Sequence, residues 1–454
     1  MCIWLSNITA AVKLAGHMRV FPVSIDFSAY TMNGMQDHTA DVIIIGGGVA
    51  GLSTAMQLAG RGASVLILER ERLGNGSTGR AAGLLGQLRG NAEHTRMLID
   101  GVAIVRQLEQ FADVAIFVQT GSLRIAETAE RAAEIAALVE MGRSIGFDID
   151  HMRIGEVARL VPYMETNDLV DACYCPTDGH LQPAELAGAY FKIGKQRGVR
   201  CHTNTPVTDI LVEGGRVYGV KAADDIYYSP VVVNAGGPWS YLNAELAETV
   251  LPTAAIGHYY LTTRPSAANP VDRLSPAVRD RELRIYTRPE SGGLIVGIYD
   301  SEPELHDMRR LPVDFDMSRM KAARDSMQVA RLIEAAHQRF PWIDERTPMT
   351  VTTGIMTFTP DARPFCGQMP DIDGLYHCSG FSGHGIVQSP VIGVIMAELI
   401  LEGRSTYDVQ SIEADRYFDM PGYLERDDIE GKCVLMAGNY YGKVERPTPV
   451  PGVR

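Results

Sequence analysis

Three glycines and one carboxylate carry the first chemical signal in this chain. Gly46, Gly48 and Gly51 stand in G-x-G-x-x-G spacing, with Val49 and Ala50 inside the motif, and Glu69 follows at the end of the next apolar run. The first glycine permits a tight turn, the second lets backbone approach a pyrophosphate, and the third lets a helix pack closely on a strand. The helix N-terminus adds free N–H groups and partial positive charge for the phosphates. Glu69 can accept hydrogen bonds from a ribose 2′,3′-diol and would repel a 2′-phosphate. This chemistry is dinucleotide binding, and the motif alone does not choose between NAD and FAD.

Those residues act only if regular elements hold them. Val42 to Ile45 is a β-branched run that predicts a short buried strand. Leu52, Ala55, Met56 and Ala59 recur at helical spacing up to a break at Gly60 to Gly62, and Ser64 to Leu68 is a second apolar strand. The strand–glycine–helix pattern returns twice. Val231 to Asn234 enters Ala235, Gly236, Gly237 and Trp239; Gly374 to Gly380 enters Phe381-Ser382-Gly383-His384-Gly385-Ile386. The second of these leads into a helix over 388–402 with Ile392, Ile395, Met396, Leu399 and Ile400 on one stripe.

Between these elements, 91–143 reads as largely helical with a strand pair near 117–125, and 146–185 as irregular. A helix follows over 184–196, then a strand at 198–202 and a β-pair at 205–210 and 216–220. From 252 to 351 the pattern is of alternating strands (258–263, 284–288, 293–299) interrupted by a helix over 317–340. The expected fold is α/β: a Rossmann-type domain from about 40–115, 185–240 and 355–405, with an inserted, mostly antiparallel α+β substrate domain from about 116–184 and 241–354. Residues 1–39 are expected to be a disordered extension, or to precede a native start at Met32 or Met35, and 406–454 a C-terminal tail.

The bulk numbers narrow the classes. With 454 residues, two or three domains are expected. A net charge of −13 disfavours nucleic acid and anionic membrane surfaces as partners. No apolar run is read as approaching the ~18 residues of a membrane span. Seven cysteines are scattered with no C-x-x-C, and Cys173 and Cys175 read as core thiols on one strand face, so no metal site is expected. A reducing, cytoplasmic location is the expectation. No Ser-His-Asp arrangement or phosphate-transfer lysine loop suggests hydrolase or kinase chemistry.

DVIIIGGGVAGLS at 41–53, VVNAGGPWS at 232–240 and GFSGHG at 380–385, in this order, resemble the D-amino-acid-oxidase/sarcosine-oxidase superfamily of FAD enzymes over about residues 40 to 405. HYYLTT at 258–263 and IYTRPE at 285–290 look most like the dimethylglycine and sarcosine dehydrogenases, and GSTGRAAG at 76–83 is similar to the β-subunit of heterotetrameric sarcosine oxidase. The resemblance implies FAD, with its ADP half on Gly46, Gly48, Val49, Ala50, Gly51, Glu69 and Arg70. Ser77, Thr78, Arg80, Ala81, Ala82, Gly83 and Leu84 would meet the ring from one side; Gly380, Gly383, His384, Gly385 and Ile386 would meet it from the other. Val207, Ala235, Gly236, Trp239, Gly354 and Asp361 complete the implied cofactor set.

Departures from the family refine this. Arg80 stands where the dimethylglycine group has a flavin-linked histidine, and Gly354 where monomeric sarcosine oxidase has its flavin-linked cysteine, so non-covalent FAD is implied. Ile295 and Val387 stand where monomeric sarcosine oxidase has lysines tied to oxygen activation and substrate carboxylate binding. The folate-binding domain of the dimethylglycine dehydrogenases is not part of the resemblance. His258, Tyr260 and Tyr286 are the implied catalytic residues, and Arg80, Arg89 and Arg288 the candidate carboxylate partners. The implied reaction is hydride transfer to flavin N5 from an amine or amino acid, a secondary or tertiary N-alkyl amine being preferred, with hydrolysis of the imine. The acceptor would be O₂, a quinone or an electron-transfer protein, and partner subunits remain open. Oxidation of a hydroxyl carbon, or a flavin subunit within a larger complex, are the alternatives.

Overall fold

The structure is a computed structural model that describes residues 11–14, 17–20, 38–312, 315–317, 320 and 326–442. Most of the expected N-terminal extension lies outside the described residues; within it Ala11–Leu14 and His17–Val20 pair as an antiparallel hairpin.

The glycine motif sits at the centre of a six-stranded sheet in the order Arg200–His202, Val65–Leu68, Val42–Ile45, Val232–Asn234, Leu375–Ser379, Phe365–Gln368. The first five strands are parallel and the last is an antiparallel edge. Val42–Ile45 and Val65–Leu68 are buried along their whole length, which is why they read as unbroken apolar runs instead of alternating ones. The helices Val49–Gly60, Ala92–Ala112, Pro183–Gln196 and Gly385–Glu402 supply one apolar layer of this core. An antiparallel sheet (Val207–Glu213, Arg216–Ala222, Asp225–Tyr228) covers the other face.

Gly385–Glu402 corrects one expectation. It is long and apolar enough to cross a membrane by length and composition, but it is a core helix, mostly buried, that packs on Val49–Gly60. Ser53 lies so close that a Cβ on Gly393 would fall 2.2 Å from its hydroxyl.

The second layer is a nine-stranded, mostly antiparallel sheet. It includes Ala254–Thr263, Gly293–Ile298, Ile285–Glu290, Ala277–Asp280, Ser122–Ala126 and Asp171–Cys175 as consecutive neighbours, with Met349–Phe358 paired to the first of them. The strands expected near 117–125 exist as Phe117–Gln119 and Ser122–Ala126, but they do not pair with each other. The first joins a small sheet through Gly179–Leu181, and the second lies parallel to Ala277–Asp280. The expected irregular stretch 146–185 holds a helix, Ile154–Leu160, and three short strands, too brief to show a period. The helix expected from 317 begins at Met327, where the Ser326 side chain accepts from the Val329 amide.

The expected C-terminal tail folds onto the molecule. Arg426–Gly438 is a helix against Ala254–Thr263 and Met349–Phe358, and its buried Ile429, Cys433, Met436 and Ala437 fill a shared core. Arg131, Arg281 and Arg284 donate to the carbonyls of Tyr441, Gly442 and Gly438 respectively.

The substrate-side sheet is tied by a buried ionic node. Arg339 donates to Asp280 at 2.8 Å, to Asp168 at 2.8 Å and to Glu127, with Arg339 and Asp280 each about 1% exposed. Arg339→Met leaves three carboxylates without their cation, so a loss of about 3–5 kcal/mol is expected. Urea unfolding followed by far-UV circular dichroism should read this as a lower midpoint; an unchanged midpoint would remove the node from the account of stability.

Candidate functional site

A cavity of about 510 Å³ runs from the glycine turn to the nine-stranded sheet, within the range of roughly 300–1,000 Å³ common for small-molecule sites. At one end, Gly46 has φ +109°, and a Cβ there would sit 2.5 Å from the carbonyl oxygen of Ala235. A Cβ on Gly51 would fall 2.1 Å from the Gly46 carbonyl oxygen, so helix and turn touch backbone to backbone. Glu69 closes the turn: its two carboxylate oxygens accept from the Gly47 amide at 2.7 Å and the Glu71 amide at 2.8 Å. Burial pushes its carboxyl above the ordinary value against these amides and Arg70. The Arg70 guanidinium lies 4.2 Å over the Trp239 ring, forming one wall, and Thr78 accepts from the Val49 amide at the helix start.

The middle of the cavity is bounded by the Ser77–Arg80 turn and the 381–387 segment, where Gly385–Glu402 begins and directs its N-terminus inward. Arg80 and Gly354 are neighbours in this wall, since a Cβ on Gly354 would meet the Arg80 Cβ at 2.9 Å. Val387 lines the wall as well, whereas Ile295 is buried outside it.

At the far end the nine-stranded sheet presents His258, Tyr286, Tyr299 and Arg279, with Tyr441 from the C-terminal segment. The Tyr286 hydroxyl and His258 Nε2 are 2.7 Å apart with their rings stacked, and Gly297 leaves room for the Tyr286 ring, which a Cβ would meet at 2.1 Å. Burial pushes His258 down to about 4 and Tyr286 well above the ordinary phenol value. The pair is therefore neutral across the physiological range. Tyr299 stacks on Tyr440, whose hydroxyl lies 3.2 Å from the His384 ring.

Most of the expected cofactor residues line this one cavity, from Gly46, Gly48, Val49, Ala50, Glu69 and Arg70 through the 77–84 residues to Val207, Ala235, Gly236, Trp239, Gly354, Gly383, His384, Gly385 and Ile386. Four do not. Gly51 acts one layer back, as the contact between helix and turn. Gly380 (φ +79°) turns the chain beside Thr359. Asp361 is buried on Arg416; burial raises its carboxyl, but Arg416 outweighs this and holds it below the usual range, so it is a structural anchor. Tyr260 lies beyond the wall.

Arg288 is also corrected as a carboxylate partner: it is buried, paired with Glu290 at 2.6 Å, and bonded to the Ala82 and Pro289 carbonyls. The residue that sequence reasoning missed is Arg279. It lines the cavity, and among the described residues its guanidinium makes no hydrogen bond or ion pair; its Nη1 is buried without a partner. It lies over Gly86, where a Cβ would be 2.5 Å away. The signal available was an arginine inside the short strand Ala277–Asp280, directly after the apolar Ala277 and Val278.

A crevice for a dinucleotide between a parallel sheet and a second, antiparallel one defines a two-layer flavoprotein-type oxidoreductase. Comparison with known proteins gives the family: the description DAO, FAD dependent oxidoreductase, matches residues 41–399, and the chain belongs to it. Human mitochondrial sarcosine dehydrogenase is 31% identical over 84% of this chain and 41% of its own length. The mouse mitochondrial pyruvate dehydrogenase phosphatase regulatory subunit is 27% identical over 83% of this chain and 43% of its own. Among solved structures, L-proline dehydrogenase from P. horikoshii superposes with a TM-score of 0.74 at 23% identity, covering 84% of this chain and 98% of that one, which shows a shared fold. The chain thus spans about two-fifths of the length of these curated relatives.

The residues present fit FAD: a side-chain-free turn at Gly46, a buried acid at its edge and a continuous channel to a helix N-terminus. Gly46→Ala places a methyl against the Ala235 carbonyl in a backbone region that L-residues avoid. Purified Gly46→Ala protein should carry less than a tenth of the wild-type FAD per chain by visible absorbance, while far-UV circular dichroism stays native; full occupancy would detach the turn from cofactor binding. Because His258 stays neutral above about pH 4, its own ionisation should contribute no step to kcat/KM between pH 5.5 and 8. A step in that window that vanishes in His258→Asn would contradict its buried, neutral state.

Proposed function

We propose that this chain uses non-covalently held FAD to oxidise the C–N bond of an amine or amino acid, preferring a secondary or tertiary N-alkyl amine that carries a carboxylate. The carrying observation is Arg279, a cavity-lining guanidinium without a protein counter-ion beside a neutral His–Tyr pair. A charged donor left unpaired in a cavity is complementary to an anionic ligand group. The similarity to sarcosine dehydrogenase supports an amine next to that carboxylate.

FAD, when bound, supplies the hydride acceptor at N5. Gly46, Gly48 and Glu69 hold its dinucleotide half, and the Gly385–Glu402 N-terminus offers amides and positive potential to the middle of the cavity. Arg279 fixes the substrate carboxylate, which limits the poses of the neighbouring C–H and nitrogen. His258 Nε2 and the Tyr286 hydroxyl are hydrogen-bonded without adding charge, so the amine must shed its own proton before reacting. Tyr286, Tyr299 and Tyr441 exclude water from that end. Neither Arg80 nor Gly354 offers a side chain for a covalent flavin bond of the kind seen in the resembled enzymes, which supports non-covalent attachment.

A second reading, a flavin-bearing subunit that binds partners, is favoured by the similarity to the phosphatase regulatory subunit. Anaerobic mixing of the FAD-loaded protein with N-methyl amines, D- and L-amino acids and hydroxy acids separates these. Bleaching by a carboxylated amine is expected, with all FAD released on acid precipitation. Arg279→Gln should raise its half-saturating concentration at least about tenfold, the scale of a lost charged hydrogen bond. Bleaching by hydroxy acids alone would overturn the amine reading, and no bleaching by anything would favour the subunit.

A further inference from the structure

Behind Arg279 the sheet accumulates positive charge that the protein does not balance. Arg124 is the register partner of Arg279 on the adjacent parallel strand, so both side chains rise from the same face at neighbouring positions. Like charges directly opposite one another destabilise a sheet. Arg89 joins them: Arg89 Nη1 and Arg124 Nη2 both donate to the Leu88 carbonyl, at 2.8 and 2.7 Å. Each of the three guanidiniums keeps a buried nitrogen without a partner, namely Arg89 Nη2, Arg124 Nε and Arg279 Nη1.

The acids around this group are already engaged. Asp178 is fully buried, and its oxygens accept from the Gln87 amide and side chain and from the Ser122 hydroxyl. Glu134 is shared by Arg131 and Arg281. Among the described residues none of Arg89, Arg124 or Arg279 forms an ion pair. Tyr299 and Tyr441 face Arg279, and burial pushes both phenols up, so they add no negative charge near neutral pH. Burial pushes Arg89 down to about 10, and the charges of Arg279 and Arg124 add to that shift. Three cations against one acid leave room for two negative charges, and one substrate carboxylate supplies only one.

We propose that the end of the cavity lined by Arg279 receives a dianion: the preferred substrate is an amino compound with two carboxylates, one on Arg279 and the second directed toward the Arg89–Arg124 pair behind it. This rests on the amine reading above and narrows it to a substrate class. A monocarboxylate leaves the rear guanidiniums, each with one buried nitrogen unpartnered, unbalanced, so the discrimination comes from the protein's own unpaired charges.

Calorimetric titration of the FAD-loaded protein with malonate and succinate, against acetate and propionate, tests this without turnover. The dicarboxylates should bind at least tenfold more tightly. Arg89→Gln and Arg124→Gln should each bring that ratio to within about threefold while leaving acetate affinity within twofold of wild type. Equal affinity of mono- and dicarboxylates for the wild-type protein would overturn the proposal, and this comparison needs no variant to fold. Retention of the full preference in both variants would overturn it too. Flavin bleaching reports separately on the amine reading. Tight dicarboxylate binding without bleaching leaves the anion recess and removes the amine, whereas bleaching with no dicarboxylate preference does the reverse.

Discussion

The site depends on a contact with no side chain in it. At Gly46 the chain passes the Ala235 carbonyl at a distance that a single methyl would close, and Gly51 repeats the approach from the helix side. These two contacts set the height of Val49–Gly60 above the parallel sheet and keep the crevice at its edge open. The far end obeys the same rule: Gly297 accommodates the Tyr286 ring and Gly86 the Arg279 guanidinium. Large functional groups are placed here by removing bulk from the position they lean on.

Burial acts on the groups of the cavity in opposite ways. A histidine can meet the cost of desolvation by giving up its proton, and His258 does so, leaving a neutral hydrogen-bonded pair with Tyr286. Arginine has no such exit, because its guanidinium stays charged. The strand pairing that puts Arg279 beside Arg124 therefore keeps a positive field at one end of an otherwise neutral chamber. Burial depresses Arg89, and the charges of Arg279 and Arg124 add to the effect.

The half of the site on the parallel sheet was legible in the sequence because its chemistry is local. Gly46, Gly48, Gly51 and Glu69 lie within one strand–helix–strand unit, and the glycine turns after Asn234 and Ser379 each announce themselves beside an apolar strand. The other half is assembled from distant pieces. Arg279 comes from a four-residue strand, and its partner Arg124 from a strand expected to form a hairpin with 117–119; only the parallel pairing seen in the fold puts them side by side. Arg288 carried the same charge in a more family-like stretch, but Glu290, two residues on, neutralises it. Asp361 failed as a cofactor residue for a similar reason, since its partner Arg416 lies in the segment expected to trail free. The helix Arg426–Gly438 has a weak apolar stripe and gains its order by packing, a tertiary effect that periodicity does not reveal.

Tyr440 and Tyr441 have a consequence for the order in which the protein can be built. The dinucleotide crevice is complete once the chain has been made as far as the start of Gly385–Glu402, but the chamber opposite it is closed by residues near 440, held through their carbonyls by Arg131 and Arg281 from much earlier strands and helices. Chains fold from the N-terminus as they leave the ribosome. A nascent molecule therefore passes through an interval in which it has the means to retain its cofactor while the wall that would exclude water is still missing. Within the described residues, the segment carrying Tyr441 is the part that closes this end of the cavity.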